Sequence, residues 1–203
     1  MFPEEIILAS GNLKKLNEMR QILSGFDVSL GAQSEYGVAD AVEDGLTFVE
    51  NALIKARHAS RITGKPAIAD DSGLEVDYLK GAPGIYSSRF AAPDASDEQN
   101  LQQLLQQMKG VPTAQRSARY QCVIVYLRHF EDPTPLICLG SWRGRITEDK
   151  VGDGGFGYDP IFFSVEKNQT AAQMTPEEKA AISHRGKALA QFQREFSALY
   201  RQG

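Results

Sequence analysis

The sequence predicts an α/β protein built on a mixed β-sheet, and three observations carry that reading. Short apolar runs alternate with segments whose apolar residues recur at helical spacing, and glycine and proline punctuate the chain between them. Two longer β-rich stretches, 118–127 and 136–146, then follow one another across a loop containing Pro133 and Pro135. Strand–helix alternation asks for parallel strands with helical crossovers, whereas the later pair suits antiparallel neighbours, so one sheet must hold both kinds.

Taken in order, Glu5 to Ala9 reads as a short buried strand, and Leu16, Met19 and Leu23 recur as a helix before Gly25. A weaker strand around Val28 to Ala32 leads into a polar, acidic loop ending near Gly45. Thr47-Phe48-Val49-Glu50 has the spacing of a capping box, so a helix starts there; Val49, Leu53 and Ala56 form its stripe, and Gly64 and Pro66 end it. Ala67-Ile68-Ala69 is a brief strand that stops at Asp70-Asp71-Ser72-Gly73, with Leu74 to Leu79 as a second strand and the acids in the turn between. Ser96 and Gln99 open a helix with Leu101, Leu104, Leu105 and Met108 on its core face, and these residues read as packing. Thr175-Pro176-Glu177-Glu178 starts another helix, and a last one carries Leu189, Phe192, Phe196 and Leu199. Ser183-His184-Arg185 lies between those two.

Composition narrows the function. The 203 residues correspond to one domain or two close-packed lobes at roughly 150 residues per domain. With 22 lysines and arginines against 26 aspartates and glutamates, the net charge of −4 argues against a nucleic-acid partner, which needs clustered positive charge. Cys122 and Cys138 sit inside apolar runs, where buried thiols fit better than a bridge or a metal site, and a reducing cytoplasm fits best. The first residues are acidic where a secretory signal is basic, and no apolar run approaches the roughly 20 residues of a membrane span. A cytoplasmic protein without a membrane partner is expected.

Four segments carry possible chemistry. Ser10-Gly11-Asn12-Leu13-Lys14-Lys15 joins a strand to a helix, where free amides and the helix dipole favour an anion; a phosphate site and a solvated turn both fit it. Lysines in a first helical turn conflict with the dipole, which hints at a functional reason. The acids Glu43, Asp44, Glu50, Asp70 and Asp71 form the second candidate. Without a histidine–cysteine cluster, their oxygens suit magnesium, held through one or two carboxylates plus substrate phosphates. Consecutive strand side chains face opposite ways, so one of the two aspartates faces a given cleft; Asp71 capping a turn with Ser72-Gly73 is the plainer alternative.

Glycines at 152, 154 and 157 formally satisfy a dinucleotide-binding fingerprint, but Tyr158-Asp159-Pro160 and the β-prone Ile161-Phe162-Phe163 follow where a helix is required. What remains is a loop presenting Phe156 and Tyr158 beside Asp159, either to stack on a base or merely to pack. Lys179 and His184-Arg185, at the break between the last helices, supply donors suited to a keto oxygen, or charges that complement a helix end.

Together these segments bear a resemblance. Ala9-Ser10-Gly11-Asn12 with Lys15, Gly45 to Ala52, Ala69 to Leu74, Gly81 to Arg89, Gly155 to Pro160 and Ser183-His184-Arg185 make the chain similar, essentially end to end, to inosine-triphosphate pyrophosphatase-type enzymes. Those enzymes hydrolyse deaminated purine nucleoside triphosphates. The resemblance implies a single domain over residues 1–203, with two lobes around a long mixed sheet flanked by helices. It also implies an active-site cleft between the lobes, a homodimer and Mg2+.

Carried over residue by residue, Ser10, Gly11, Asn12, Leu13, Lys14, Lys15 and Lys55 face the triphosphate. Asp71 and Glu43 hold magnesium, with Asp44 as the alternative to Glu43, and Asp71 also serves as the water-activating base. Ser72 assists the substrate, while Phe156, Gly157, Tyr158, Asp159, Lys179, His184 and Arg185 read the base. Ser10 stands where the family commonly has threonine, and the hydroxyl is kept. Two other readings share the phosphate turn: a non-catalytic nucleotide sensor, and a pyrophosphatase for other modified nucleotides.

Overall fold

A computed structural model describes residues 4–202, with the side chains of Lys14 and Gln202 outside the described set. Its seven-stranded sheet comprises β1 (Glu5–Leu8), β2 (Ser29–Ala32), β3 (Ala67–Val76), β4 (Ser117–Leu127), β5 (Leu136–Ile146), β6 (Phe162–Ser164) and β7 (Gln169–Thr170). The order is β2-β1-β3-β4-β5-β6-β7. The sheet is mixed, as predicted: β1 runs parallel to β2 and β3, whereas β6 is antiparallel to β5 and β7.

The helices are α1 (Leu13–Leu23), α2 (Phe48–Thr63), α3 (Asp97–Gln107), α4 (Pro176–Ile182) and α5 (His184–Gln202). The chain divides into two compact units. One comprises 1–71, 122–140 and 188–203; the other comprises 72–121 and 141–187.

The first unit buries both faces of its part of the sheet. Ile6, Leu8 and Ile68 pack with Leu16, Met19 and Leu23 of α1 and with Phe192 and Phe196 of α5. Ile7, Ala67 and Ala69 face the other way, onto Ala52, Ala56 and Ala59 of α2. The strand period of two makes this division, and near-continuous apolar strands are what double burial requires. The small alanines of α2 let its backbone lie close to the sheet. Cys122 and Cys138 are buried in the first of these cores, and neither forms a disulfide. Burial pushes the Cys138 thiol up to about 11.

The second unit has its own core. Leu74 and Val76 of β3, Leu101 and Leu104 of α3, Met108 at its C-cap, and Trp142 and Phe162 pack together there. Arg116, 3% exposed, donates to the carbonyls of Ile146, Met108, Val111 and Thr147, joining the start of β4 to the end of β5. These charge-assisted bonds satisfy a guanidinium that burial would otherwise penalise.

Local signals mark the helix ends well. Ser96 and Thr175 form reciprocal capping boxes with Gln99 and Glu178, and Gly64 closes α2 in the left-handed conformation at φ 69°. At the start of α2 the reciprocal box is incomplete. Thr47 accepts from the Glu50 amide, but the Glu50 carboxylate takes Leu46 N–H and the Thr47 hydroxyl. Glu50 therefore ties down the incoming loop.

The largest departure from expectation is β3. A turn at Asp70-Asp71-Ser72-Gly73 was expected, yet one continuous strand runs from Ala67 to Val76, and the acids lie within it. Turn-forming residues express only a local preference, which sheet pairing overrides when partners exist for the carboxylates. After Val76 a 3-10 turn over Asp77–Leu79 replaces the predicted continuation of the strand.

Candidate active site

The predicted phosphate turn is built as a helix start. Ser10 Oγ accepts from Asn12 N–H at 3.2 Å, and Asn12 Oδ1 accepts from the Lys15 amide at 3.3 Å, so Asn12 caps α1. Gly11, Asn12 and Leu13 are exposed, and the first turn carries no acidic residue to occupy the positive end of the dipole. The Lys14 side chain lies outside the described residues.

Lys15 folds back instead of pointing away. Its ammonium lies 2.7 Å from the Asp70 carboxylate, which is 3% exposed. This pair answers the conflict between lysine and the helix dipole with a local partner, and it anchors α1 to β3. On the next residue the arrangement repeats with a different helix. Lys55 of α2 places its ammonium 3.3 Å from Asp71 and 3.3 Å from Glu43, so one nitrogen draws the two carboxylates together. Asp44 is exposed, whereas Glu43 is half-buried in this bridge.

The loop bearing Glu43 is held from the same helix. Asn51 Oδ1 accepts from Gly45 N–H at 3.0 Å, and a Cβ on Gly45 would lie 2.7 Å from that oxygen. Only glycine allows the loop to pass so near. Asn51 is buried, and its role went unrecognised in the sequence, where it is an ordinary interior helix position.

Ser72, exposed, is the next residue after Asp71 and begins the second unit. That unit also holds the predicted base-reading residues. The glycine-rich segment 152–157 is followed by a 3-10 turn over Asp159–Ile161 and by β6, with no helix, so the dinucleotide fingerprint is excluded as expected. Phe156 is 63% exposed, and Lys179 Nζ lies 4.6 Å from its ring centroid. Lys179 also forms a short ion pair with Asp159, whose Oδ2 accepts from Phe156 N–H at 2.9 Å. At 2% exposure Asp159 is a buried anchor that shapes the loop. Gly155, at φ +76°, passes so close that a Cβ would collide with the Asp159 carboxylate.

Tyr158 departs from expectation. It is 5% exposed and its hydroxyl donates to the Ser87 carbonyl at 2.7 Å, so the loop presents Phe156 alone. Burial drives the Tyr158 hydroxyl pKa far upward, keeping it a donor. Gly157 N–H is held at 2.8 Å by Asp97, the first residue of α3. The sequence pattern assigns that helix to packing alone, because no local signal connects residues sixty positions apart.

The break between the last helices is real: α4 ends at Ile182 and α5 begins at His184. Ser183, 5% exposed, caps α5 by accepting from Gly186 N–H at 3.1 Å. His184 lies flat against Tyr120, with ring centroids 4.6 Å apart and planes inclined by 10°. His184 and Arg185 are both half-buried.

A helix start flanked by lysine–carboxylate pairs has the chemistry to take anionic oxygen, and an exposed aromatic with a lysine over its face has the chemistry to take a flat ring. Both kinds of group are what a nucleotide-handling α/β protein requires. A family model described as the Ham1 family matches residues 6–195, and the chain belongs to that family.

Among its relatives, a dITP/XTP pyrophosphatase of Escherichia coli O157:H7 is 60% identical over 92% of this chain and 94% of its own length. Another protein of that name, from Vibrio parahaemolyticus, is 55% identical over 96% of this chain and 98% of its own. A solved structure of a HAM1 protein from Coxiella burnetii superimposes with a TM-score of 0.93 at 47% identity, covering 96% of this chain and 98% of the other.

Proposed function

We propose that the protein hydrolyses deaminated purine nucleoside triphosphates, ITP, dITP and XTP, to the monophosphate and pyrophosphate, so cleansing the nucleotide pool. The relatives' names support this reaction and substrate class. The observation that carries the chemistry is the convergence of Glu43 and Asp71 on one Lys55 ammonium, each at 3.3 Å.

In this reading the α1 start, Lys15 and Lys55 take the triphosphate. Asp71 accepts a proton as water attacks the α-phosphorus; the new P–O bond forms as the bridging oxygen leaves with pyrophosphate. The positive groups stabilise charge developing on the phosphoryl oxygens, the term that dominates such catalysis. Ser72, next along the chain, assists the bound nucleotide.

Magnesium fits the donor set. Glu43 and Asp71 supply hard carboxylate oxygens to one side of the site, each 3.3 Å from the Lys55 ammonium. Such a pair matches a hard cation that completes its shell with water and substrate phosphate. Bound there, magnesium would neutralise phosphate charge. Phe156 stacks on the base, and donors from Lys179, His184 and Arg185 select the 6-keto group. Adenine, with a 6-amino group, would leave these donors facing a group that cannot accept from them, a mismatch worth up to roughly 10⁴-fold.

A homodimer in the cytoplasm completes the proposal, with residues 1–203 as one catalytic domain. Among the described residues no helix is long and apolar enough to cross a membrane. The test is a panel of ITP, XTP, dITP, GTP and ATP with magnesium, scored by kcat/KM and by the anion released. Pyrophosphate and preference for the deaminated bases are expected. Orthophosphate would move the attacked bond, and equal rates for all five would remove the base assignment.

A further inference from the structure

Tyr120 enters β4 at a position that nothing in the sequence singles out, yet it touches both halves of the base-reading cluster. Its hydroxyl donates to Asp159 Oδ1 at 3.4 Å, while Lys179 and Phe156 N–H occupy Oδ2. Its ring lies flat on His184, and the other sides of that ring pack against Trp142 and Phe162 at centroid distances of 6.2 and 4.6 Å. Tyr120 is 8% exposed, so a ligand does not need to touch it for it to matter.

We propose that Tyr120 is the positioning residue of the base site, setting the orientation of the Asp159–Lys179 pair through its hydroxyl and of His184 through its ring. The inference rests on the assignment of that cluster to the nucleobase. Two physical arguments support it. First, Asp159 has its Lys179 and loop partners on one oxygen, and a carboxylate held on one side alone can rotate about its terminal torsion. The Tyr120 hydroxyl fixes the second oxygen and with it the direction of the lysine over Phe156. Second, burial, with the Asp159 charge adding to it, holds the Tyr120 pKa well above its ordinary value, so the hydroxyl remains a donor throughout the physiological range.

The Trp142–Phe162 backing makes the stack stiff. His184, at the first position of α5, is thereby held by a ring rooted in the sheet. A small displacement of either donor would alter which ring edge is matched, while the phosphate groups belong to other residues.

The experiment compares Tyr120→Phe, which removes only the hydroxyl, with Lys179→Met and the unmodified protein. Each is assayed for kcat and KM with dITP, XTP, dATP and dGTP, and for inhibition by inorganic tripolyphosphate, which has no base. Tyr120→Phe is expected to raise KM for dITP and XTP roughly threefold, the scale of one weak hydrogen bond given its 3.4 Å length, and to narrow their preference over dATP. Its kcat should change less than about twofold and its tripolyphosphate inhibition should be unaltered.

If Lys179→Met loses base preference while Tyr120→Phe keeps the unmodified KM and preference, the role of Tyr120 is overturned and the base site stands. If Lys179→Met keeps its preference, the base assignment falls and takes the proposal with it. An equal loss of kcat for every nucleotide, with weakened tripolyphosphate inhibition, would mark a general packing defect and also overturn the proposal.

Discussion

Asp70 and Asp71 are adjacent in β3 and leave it on opposite faces of the sheet, each to meet a lysine from the helix covering that face. Asp70 pairs with Lys15 of α1, and Asp71 pairs with Lys55 of α2. The division follows that of the core, where Ile68 packs with α1 and Ala67 and Ala69 pack with α2. One dipeptide therefore serves two helices, and the two acids invite different predictions.

Asp71→Asn should give a folded protein with little turnover. The side chain keeps its size, and Lys55 retains Glu43 as a partner. Loss of the proton acceptor and of a cation ligand should lower kcat/KM for dITP by on the order of 10²-fold or more, with the thermal midpoint close to the parent. Near-normal turnover would remove Asp71 from the reaction.

Lys15 and Asp70 should behave as an energetically coupled pair. With the carboxylate 3% exposed and the ammonium 29% exposed, the pair is shielded more than a surface bridge. Lys15→Met and Asp70→Asn should each lower stability, and the double variant should lose less than their sum by about 1 kcal/mol. Urea unfolding of the four proteins measures this, and strict additivity would refute the coupling.

Gly186 sets how closely the turn after α4 approaches α5. A Cβ there would lie 1.8 Å from the Ala180 carbonyl oxygen, a backbone atom that cannot swing aside. Gly186→Ala should cost about 1–3 kcal/mol and weaken base discrimination by displacing His184 and Arg185. Gly25→Ala, where a Cβ meets nothing within 4 Å, serves as the matched control and should stay near the parent in both measurements.

Acid should destabilise the loop between β4 and β5. Asp132, 1% exposed, accepts two bonds from the Arg128 guanidinium and others from the Arg128 and Thr134 amides. The Arg128 side chain holds the Asp132 pKa far below the usual carboxylate range; burial opposes it as the next-largest effect, and the Arg128 and Thr134 amides lower it further. A depressed folded-state pKa gives stability that is complete above the unfolded value near 3.9 and is lost as pH falls below it. Thermal midpoints of the parent and Asp132→Asn should differ by several degrees at pH 7, and the gap should begin to shrink only below about pH 4, closing as the pH falls towards the much lower folded-state value. A gap independent of pH would show that the charge is not its source.

Much of the architecture was legible along the chain. The caps at Thr47, Ser96 and Thr175, the C-terminal glycine of α2 and the break at Ser183 depend on residues a few positions apart, and each marked a helix boundary. The acids of β3 were misplaced because Asp-Asp-Ser-Gly is a turn signal wherever no partner for the carboxylates is known. Their lysines lie 55 and 16 positions away.

By itself, then, the chain determined its helix ends, its strand-rich segments and the kinds of group available for phosphate and base. Tertiary structure decided that Asp70 and Asp71 stand inside a strand, that Tyr158 is buried while Phe156 is exposed, and that Tyr120 and Asp97 hydrogen-bond the loop bearing Phe156. The reason is range. A cap or an apolar stripe is satisfied within one or two turns of backbone, whereas a buried charge or hydroxyl is tolerated only where folding brings it a partner from another segment.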